Sequence, residues 1–526
     1  MKSSVCHFSL PYRFRVCYFF LVSACGLCLT AQAAEWDIRP RLSISETYTD
    51  NVRLGGIGGF GGFGGLGGAG GGSEFITQIN PGVNLTGNGR RFNANANYTL
   101  NSLFFANSGR TLIRQQLNSN GTAEILRDLF FVDGRASISQ QNAFLFGSQA
   151  LDNANLSGNT RDIRNWSISP YARHRFKNLA SGEIRYARSG VSSNQRNFFN
   201  NSSDAFIASL NSGSAFRTLG WGINYTHTEI SRERAGVNLG KIEMERITGT
   251  LRYVITPQFS LIGTGGYERN SFISIRGKPS SHSWTAGFSW APTSRTTLSA
   301  SAGERFFGRT FSGAFDHRTR GTLWNASYVE DITTFGQQSL LGGSILNAGS
   351  LGQLPGIGDA GGLLNRGLPS NISDPNNFLT NRLFLLKNFQ ASLTLNGRKN
   401  SLIFRVFNMS RKSFSSDQED ADLIGLQNAF LTRDTRQTGG NVLWNHRLGP
   451  RTDVNINLGY TQFEFNATNQ TNDNIIATLG VNKQLSEKLN ASLLYRHQRR
   501  ITESTSGSFS NNFSANAITA TLNMDF

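Results

Sequence analysis

The sequence is short of cysteine, charge, proline and long apolar runs, and each shortage narrows the reading. All four cysteines, Cys6, Cys17, Cys25 and Cys28, fall in the first 28 of 526 residues. Beyond them no thiol is left for a disulfide, a CxxC redox pair or a thiolate metal site. Charged residues are only 16% of the chain and prolines number 11, while aromatics reach 11%. Low charge with many aromatics is not the composition of a disordered chain. Past residue 34 there is no run of 18 apolar residues, so no helix is written to cross an inner membrane. Catalytic patterns are equally thin. His174, His227, His282, His317, His446 and His497 form no HExxH pair, and there is no GxSxG elbow. His282, between Ser281 and Ser283, reads as a loop residue. Glu419 and Asp420 lie in a polar run, Ser415 to Asp422, that reads as a solvated loop. The expectation is a protein that is not an enzyme, with no catalytic, cofactor-binding or metal residues and no cofactor.

What is present begins at the N-terminus. Lys2, Arg13 and Arg15 precede an apolar stretch, Val16 to Leu29, and Ala31-Gln32-Ala33 supplies a small-x-small cleavage site. This is the layout of a secretory signal peptide over 1–33. Val22-Ser23-Ala24-Cys25 offers a competing lipoprotein site, with Cys25 as the lipidated residue. Cleavage after Ala33 leaves 493 residues, no cysteine, and a formal charge that drops from +17 to about +14.

The exported part, 34–526, alternates. Ile518, Ala520, Leu522, Met524 and Phe526 share one face of a period-2 strand, with Thr519, Thr521, Asn523 and Asp525 opposite. The same rhythm recurs at Phe92–Leu100, Trp221–Tyr225, Ile247–Ile255, Phe259–Tyr267, Trp284–Trp290, Trp324–Tyr328, Phe389–Leu395, Val454–Tyr460, Ile475–Val481 and Leu489–Tyr495. Many strands with one apolar and one polar face, and with Trp or Tyr near their ends, describe a transmembrane antiparallel β-barrel of the outer-membrane type. A long β-solenoid is the alternative. A strand that ends on Phe526, with Leu522 and Met524 on the same face, resembles the terminal signal read by the barrel assembly machinery.

Two segments interrupt the pattern. Gly55 to Gly72 is low in complexity and reads as a loop between strands near Ile38–Tyr48 and Phe75–Leu85, or as a sticky segment presenting Phe60 and Phe63. Residues 331–387, rich in Gly and Pro, are too long for a turn and read as an exposed loop or a plug. With these set aside, strands of ~10 residues and connections of similar length predict about 18 strands, in a range of 16–20.

The basic excess is carried by Arg, since only nine of the 51 basic residues are Lys. Three uses stay open. Arg at strand ends can hold lipopolysaccharide phosphates. Arg on lumen faces, with Arg185, Arg252 and Arg405 as candidates, can favour anions. Arg can also pair with Asp and Glu in a solvated wall. Nucleic acid is not an expected partner of an exported strand protein.

Trp36 to Val52 resembles the opening of outer-membrane barrels associated with PEP-CTERM systems. Arg127–Asp133 with Ala136–Gln141, Tyr328–Thr334 and Leu379–Leu385 are similar to internal segments of that group. The Gly-rich stretch departs from its pattern. The resemblance implies the outer membrane of a Gram-negative bacterium, partners among outer-membrane lipids, lipopolysaccharide and polysaccharide export components, and a pore or scaffold for exopolysaccharide or surface-protein export. A general small-solute porin and a structural or adhesive surface protein are the alternatives.

Overall fold

The computed structural model describes residues 34–55, 71–145, 148–156, 158–194, 198, 200–234, 237–340, 378–503 and 512–526. The expected signal peptide, the Cys25 site, Phe60, Phe63 and residues 341–377 lie outside them. The chain forms β1 (Ala34–Thr49), β2 (Glu74–Gly89), β3 (Phe92–Phe105), β4 (Thr111–Leu126), β5 (Phe130–Asn142), β6 (Thr160–Phe176), β7 (Ala180–Ser193), β8 (Asn200–Ser212), β9 (Leu219–Arg234), β10 (Val237–Thr256) and β11 (Phe259–Asn270). There follow β12 (Ser281–Thr293), β13 (Thr296–Arg305), β14 (Gly308–Arg318), β15 (Thr322–Thr334), α1 (Phe335–Leu340), β16 (Leu383–Asn396) and β17 (Asn400–Ser413). The order ends with α2 (Gln418–Ile424), α3 (Leu426–Leu431), β18 (Asp434–Gly449), β19 (Thr452–Phe465), β20 (Gln470–Gln484), β21 (Leu489–Glu503) and β22 (Phe513–Asp525).

Each strand pairs antiparallel with the next, and β22 returns to β1 in a register from Arg41↔Asp525 to Thr49↔Ala517. The sheet is a closed barrel with no free edge, which is what lets strands cross lipid with every backbone group bonded. It has 22 strands rather than 18. The expectation of a connection about as long as each strand fails at every connection of one rim, and also at some of the other, where 306–307 joins β13 to β14. At the first rim the chain reverses in as few as two residues, as at 90–91, 257–258 and 450–451. The residues thereby released build the additional strands. The long insertion is also shorter than 331–387, because 331–334 belong to β15 and 383–387 to β16.

Register parity separates the two faces. Ile38, Ile44 and Tyr48 on β1 face outward and lie opposite Leu85, Ile79 and Phe75 on β2, all exposed or half-buried. The outward face continues in this way around the wall, as a lipid-facing surface requires. Of the seven Trp, Trp36, Trp221, Trp290, Trp324 and Trp444 stand on the outward face near the short-turn rim, as one aromatic girdle. On the inner face of β12 and β13 the strands crowd. A Cβ at Gly287 would lie 2.3 Å from the Ala300 carbonyl oxygen, and one at Gly303 1.9 Å from that of Trp284. Only glycine permits that backbone approach.

The buried apolar clusters gather toward the opposite rim. One joins Ala143, Ile163, Val191, Phe198, Phe335, Leu379 and Leu423; another joins Val52, Ile76, Leu103, Phe105 and Ala154. A 22-stranded wall is too wide for its own side chains to fill. Here the long loops fold inward and supply the packing.

Candidate functional site

The site is the lumen and the loops seated in it. Both termini of the barrel and the short turns share one rim, the periplasmic end in barrels of this kind, so the long loops mark the external mouth. The 143–159 connection leaves β5 and reaches the inner face of β21. There Arg496 forms an ion pair with Asp152, both largely buried. Gln498 Nε2 donates to the Gln149 carbonyl at 2.9 Å, and Arg500 Nη2 donates to that of Leu145 at 2.8 Å. The Leu156 amide donates to the Val52 carbonyl at 2.7 Å, and Ser148 Oγ to the Leu54 carbonyl at 2.7 Å. The first and third long loops are thereby tied together inside the barrel.

A second group hangs from the β15–β16 and β17–β18 connections. Asp420 of α2 is 2% exposed. It accepts from Thr380 Oγ1 and the Asn381 amide at 2.7 Å each, and pairs with Arg382 Nε at 3.2 Å. Burial raises its carboxyl pKa, while the Arg382 guanidinium and these hydrogen bonds pull it down. Arg382 Nη2 also donates to the Ala429 carbonyl at 2.6 Å. Glu419 meets Arg232 of β9 across the lumen at 2.7 Å. On α1, Ser339 Oγ donates to Asn165 Oδ1 of β6 at 3.3 Å, and Gln338 Oε1 accepts from Arg411 at 3.1 Å. The reading of Ser415–Asp422 as a solvated loop is corrected: the run includes most of α2, and its carboxylates hold two loops and a wall strand together. A polar sequence cannot show this, because the partners lie 38 to 187 positions away.

The three candidate arginines all fall on the inner face in the half nearer the short turns. Arg185 is matched rather than free: it donates to Asp133 at 2.8 Å and Glu183 at 3.0 Å, and its guanidinium lies 3.8 Å over the Tyr171 ring. Tyr171 stacks with Phe131, and Arg173 lies over Phe131 at 5.0 Å, so the cluster laces β5, β6 and β7 together. Arg252 is exposed toward the lumen and makes no ion pair among the described residues. Arg405 is half-buried, and its Nη2 lacks a hydrogen-bond partner. Paired and unpaired arginines therefore coexist on this wall. The arginines that seat the loops, Arg232, Arg382, Arg411, Arg496 and Arg500, were visible in the sequence only as part of the Arg excess.

Leu522, Met524 and Phe526 point outward from the closing strand, and the Phe526 amide donates to the Pro40 carbonyl at 3.0 Å. His282 belongs to β12 rather than to a loop, which corrects the reading from sequence; it faces outward against Tyr267, and Ser281 Oγ donates to the His282 carbonyl, so the two side chains form no nucleophile–base pair. Among the described residues no group of three His, Cys, Asp or Glu is placed to hold a metal ion.

The closed wall, its apolar exterior and its polar lumen define an outer-membrane β-barrel. No family model matches the chain, and no curated protein matches it. Solved structures of similar outline include the FrpB iron transporter from Neisseria meningitidis, at TM-score 0.49 and 10% identity over 93% of this chain and 83% of that one. The siderophore receptor PirA from Acinetobacter baumannii gives TM-score 0.48 and 10% identity over 93% and 80%. PirA from Pseudomonas aeruginosa gives 0.46 and 10% over the same shares.

Proposed function

We propose that this barrel is a non-enzymatic pore or scaffold of the outer membrane that serves the export of exopolysaccharide or of PEP-CTERM surface proteins. The observation that carries the reading is the division of the lumen. Its external end holds loops tied down by specific ionic and hydrogen-bonded contacts, whereas its periplasmic half is lined mainly by Asn, Ser, Thr and Arg, with side chains such as Phe131, Tyr171 and Ile403 interspersed and no buried apolar cluster among the described residues. Such a wall gives a hydrated chain many exchangeable hydrogen bonds and only scattered apolar side chains on which to stall. The seated loops give such a pore a part that can be displaced. The opening motif and the internal segments support the link to PEP-CTERM systems.

The test is deletion of the gene in its host, with measurement of surface polysaccharide and of PEP-CTERM substrates retained in the periplasm. Retention of either, restored by the intact gene, supports export. Normal surface material, together with large ion conductance from the purified barrel alone, would replace export with a general porin.

A further inference from the structure

The short-turn rim carries charge of nearly one sign. Its ten connections contain eleven Arg and Lys and only two acids, Asp128 and Glu487; the 257–258 turn alone has no basic residue. All eleven cations are exposed. Among the described residues only Arg127 forms an ion pair, 3.6 Å from Asp128. The opposite rim is balanced, with six cations and six acids among the described loop residues, and there Arg276, Arg382 and Arg433 are taken up in pairs with Asp434, Asp420 and Asp417.

Two further features identify what the ring meets. The same turns and their flanks expose large apolar side chains beside the cations: Leu126, Leu129, Phe176, Leu179, Leu448 and Leu485. Immediately along the wall stands the Trp girdle, with Trp444 Nε1 donating to Asn400 Oδ1 next to Lys399. A soluble polyanion has nothing to offer those apolar groups, and the inner wall beside the turns is mixed in sign, with Asp133, Glu183, Asp316, Asp453 and Asp525 facing inward along with Arg185, Arg252 and Arg405. A bilayer interface accommodates both: the apolar side chains enter the acyl boundary, the Trp rings sit at headgroup level, and the cations reach the phosphates.

We infer that the short-turn rim is a binding collar for the headgroups of anionic phospholipids in the inner leaflet. With strands ~4.8 Å apart and tilted ~40°, the rim runs to about 140 Å, which spaces the eleven cations at about 13 Å. The cations sit in nine turns, with Arg90 next to Arg91 and Arg398 next to Lys399. The basic turns lie about 15 Å apart on average, beyond the Debye length of ~10 Å at 0.1 M salt, so each turn recruits its own headgroup rather than acting through a shared field.

The girdle provides the readout. The barrel is reconstituted into vesicles in which either phosphatidylglycerol or phosphatidylcholine carries bromine on its acyl chains, and quenching of Trp fluorescence reports which lipid sits at the wall. The expected result is a preference for phosphatidylglycerol of about fivefold, reduced toward parity in the Arg90→Gln, Arg91→Gln, Arg398→Gln, Lys399→Gln variant. A retained heat-dependent gel shift shows that the variant is folded; should it be lost, the comparison is made with Arg451→Gln and Lys488→Gln. Equal quenching by the two lipids in the native protein overturns the inference, as does a preference unchanged in the variants. Displacement of phosphatidylglycerol by soluble polygalacturonate at the same ionic strength overturns it in favour of a periplasmic polyanion.

Discussion

The contact between Arg496 and Asp152 is the sharpest point at which to test whether the 143–159 loop occludes the lumen. Both side chains are largely buried, at 7% and 14% exposure, so solvent screens the pair little. Replacing Arg496 by Ala strands the Asp152 carboxylate and removes the donor to Asn155. Removing one partner of a buried pair costs about 3–5 kcal/mol. That corresponds to a shift of roughly 10²–10⁴ in the equilibrium between the seated and displaced loop. Gln498 and Arg500 still hold the Gln149 and Leu145 carbonyls, so the loop is expected to open transiently rather than to leave. Single-channel recording in planar bilayers should show more frequent or larger open events in Arg496→Ala than in the native barrel. Hydrogen exchange over 143–156 should accelerate while the strands stay protected. The charge-swapped pair, Arg496→Asp with Asp152→Arg, should restore quiet behaviour at least in part. Unchanged conductance alongside faster exchange would show that the loop does not block the pore. Unchanged exchange would show that the ion pair does not hold it.

Other outcomes follow from the same packing. Because burial raises the Asp420 carboxyl in the folded loop, the native state holds that proton more tightly than the unfolded chain does. Its stabilising contribution is therefore greatest at low pH and declines as pH rises through and above the ordinary value of about 3.9. Exchange over 417–424, corrected for intrinsic rate, should quicken between pH 4 and 7, and Asp420→Asn should remove that dependence. Arg185→Ala leaves Asp133 and Glu183 unmatched and uncovers Tyr171; the partly exposed pairs predict a loss of about 1–2 kcal/mol in the heat or denaturant midpoint, with the barrel still closed. Gly303→Val would drive side-chain atoms into the Trp284 carbonyl and should abolish the heat-dependent gel shift, whereas Gly134→Ala, which meets no atom within 4 Å, should retain it. Removal of Phe526 should lower the yield of heat-modifiable barrel in the outer membrane without changing the melting of the fraction that assembles.

The class of the fold was legible in local sequence alone. Period-2 alternation is a local property, so Phe92–Leu100 or Val454–Tyr460 announces a two-faced strand whatever surrounds it. The outward position of Leu522, Met524 and Phe526 follows from the same parity. Loop against turn was harder to read, because the length of a reversal depends on the register of the strands it joins, and this is why the number of strands exceeded the expectation. The contents of the lumen were decided only by the tertiary structure. Asp420 and Arg382, or Asp152 and Arg496, are separated by tens to hundreds of residues in chains of ordinary polar character, and nothing local distinguishes a carboxylate that will be buried from one that will be solvated. Closure of the barrel brings them face to face. It also gathers scattered turn cations, unremarkable one at a time, onto a single rim, because every second connection of an up-and-down barrel must return to the same end.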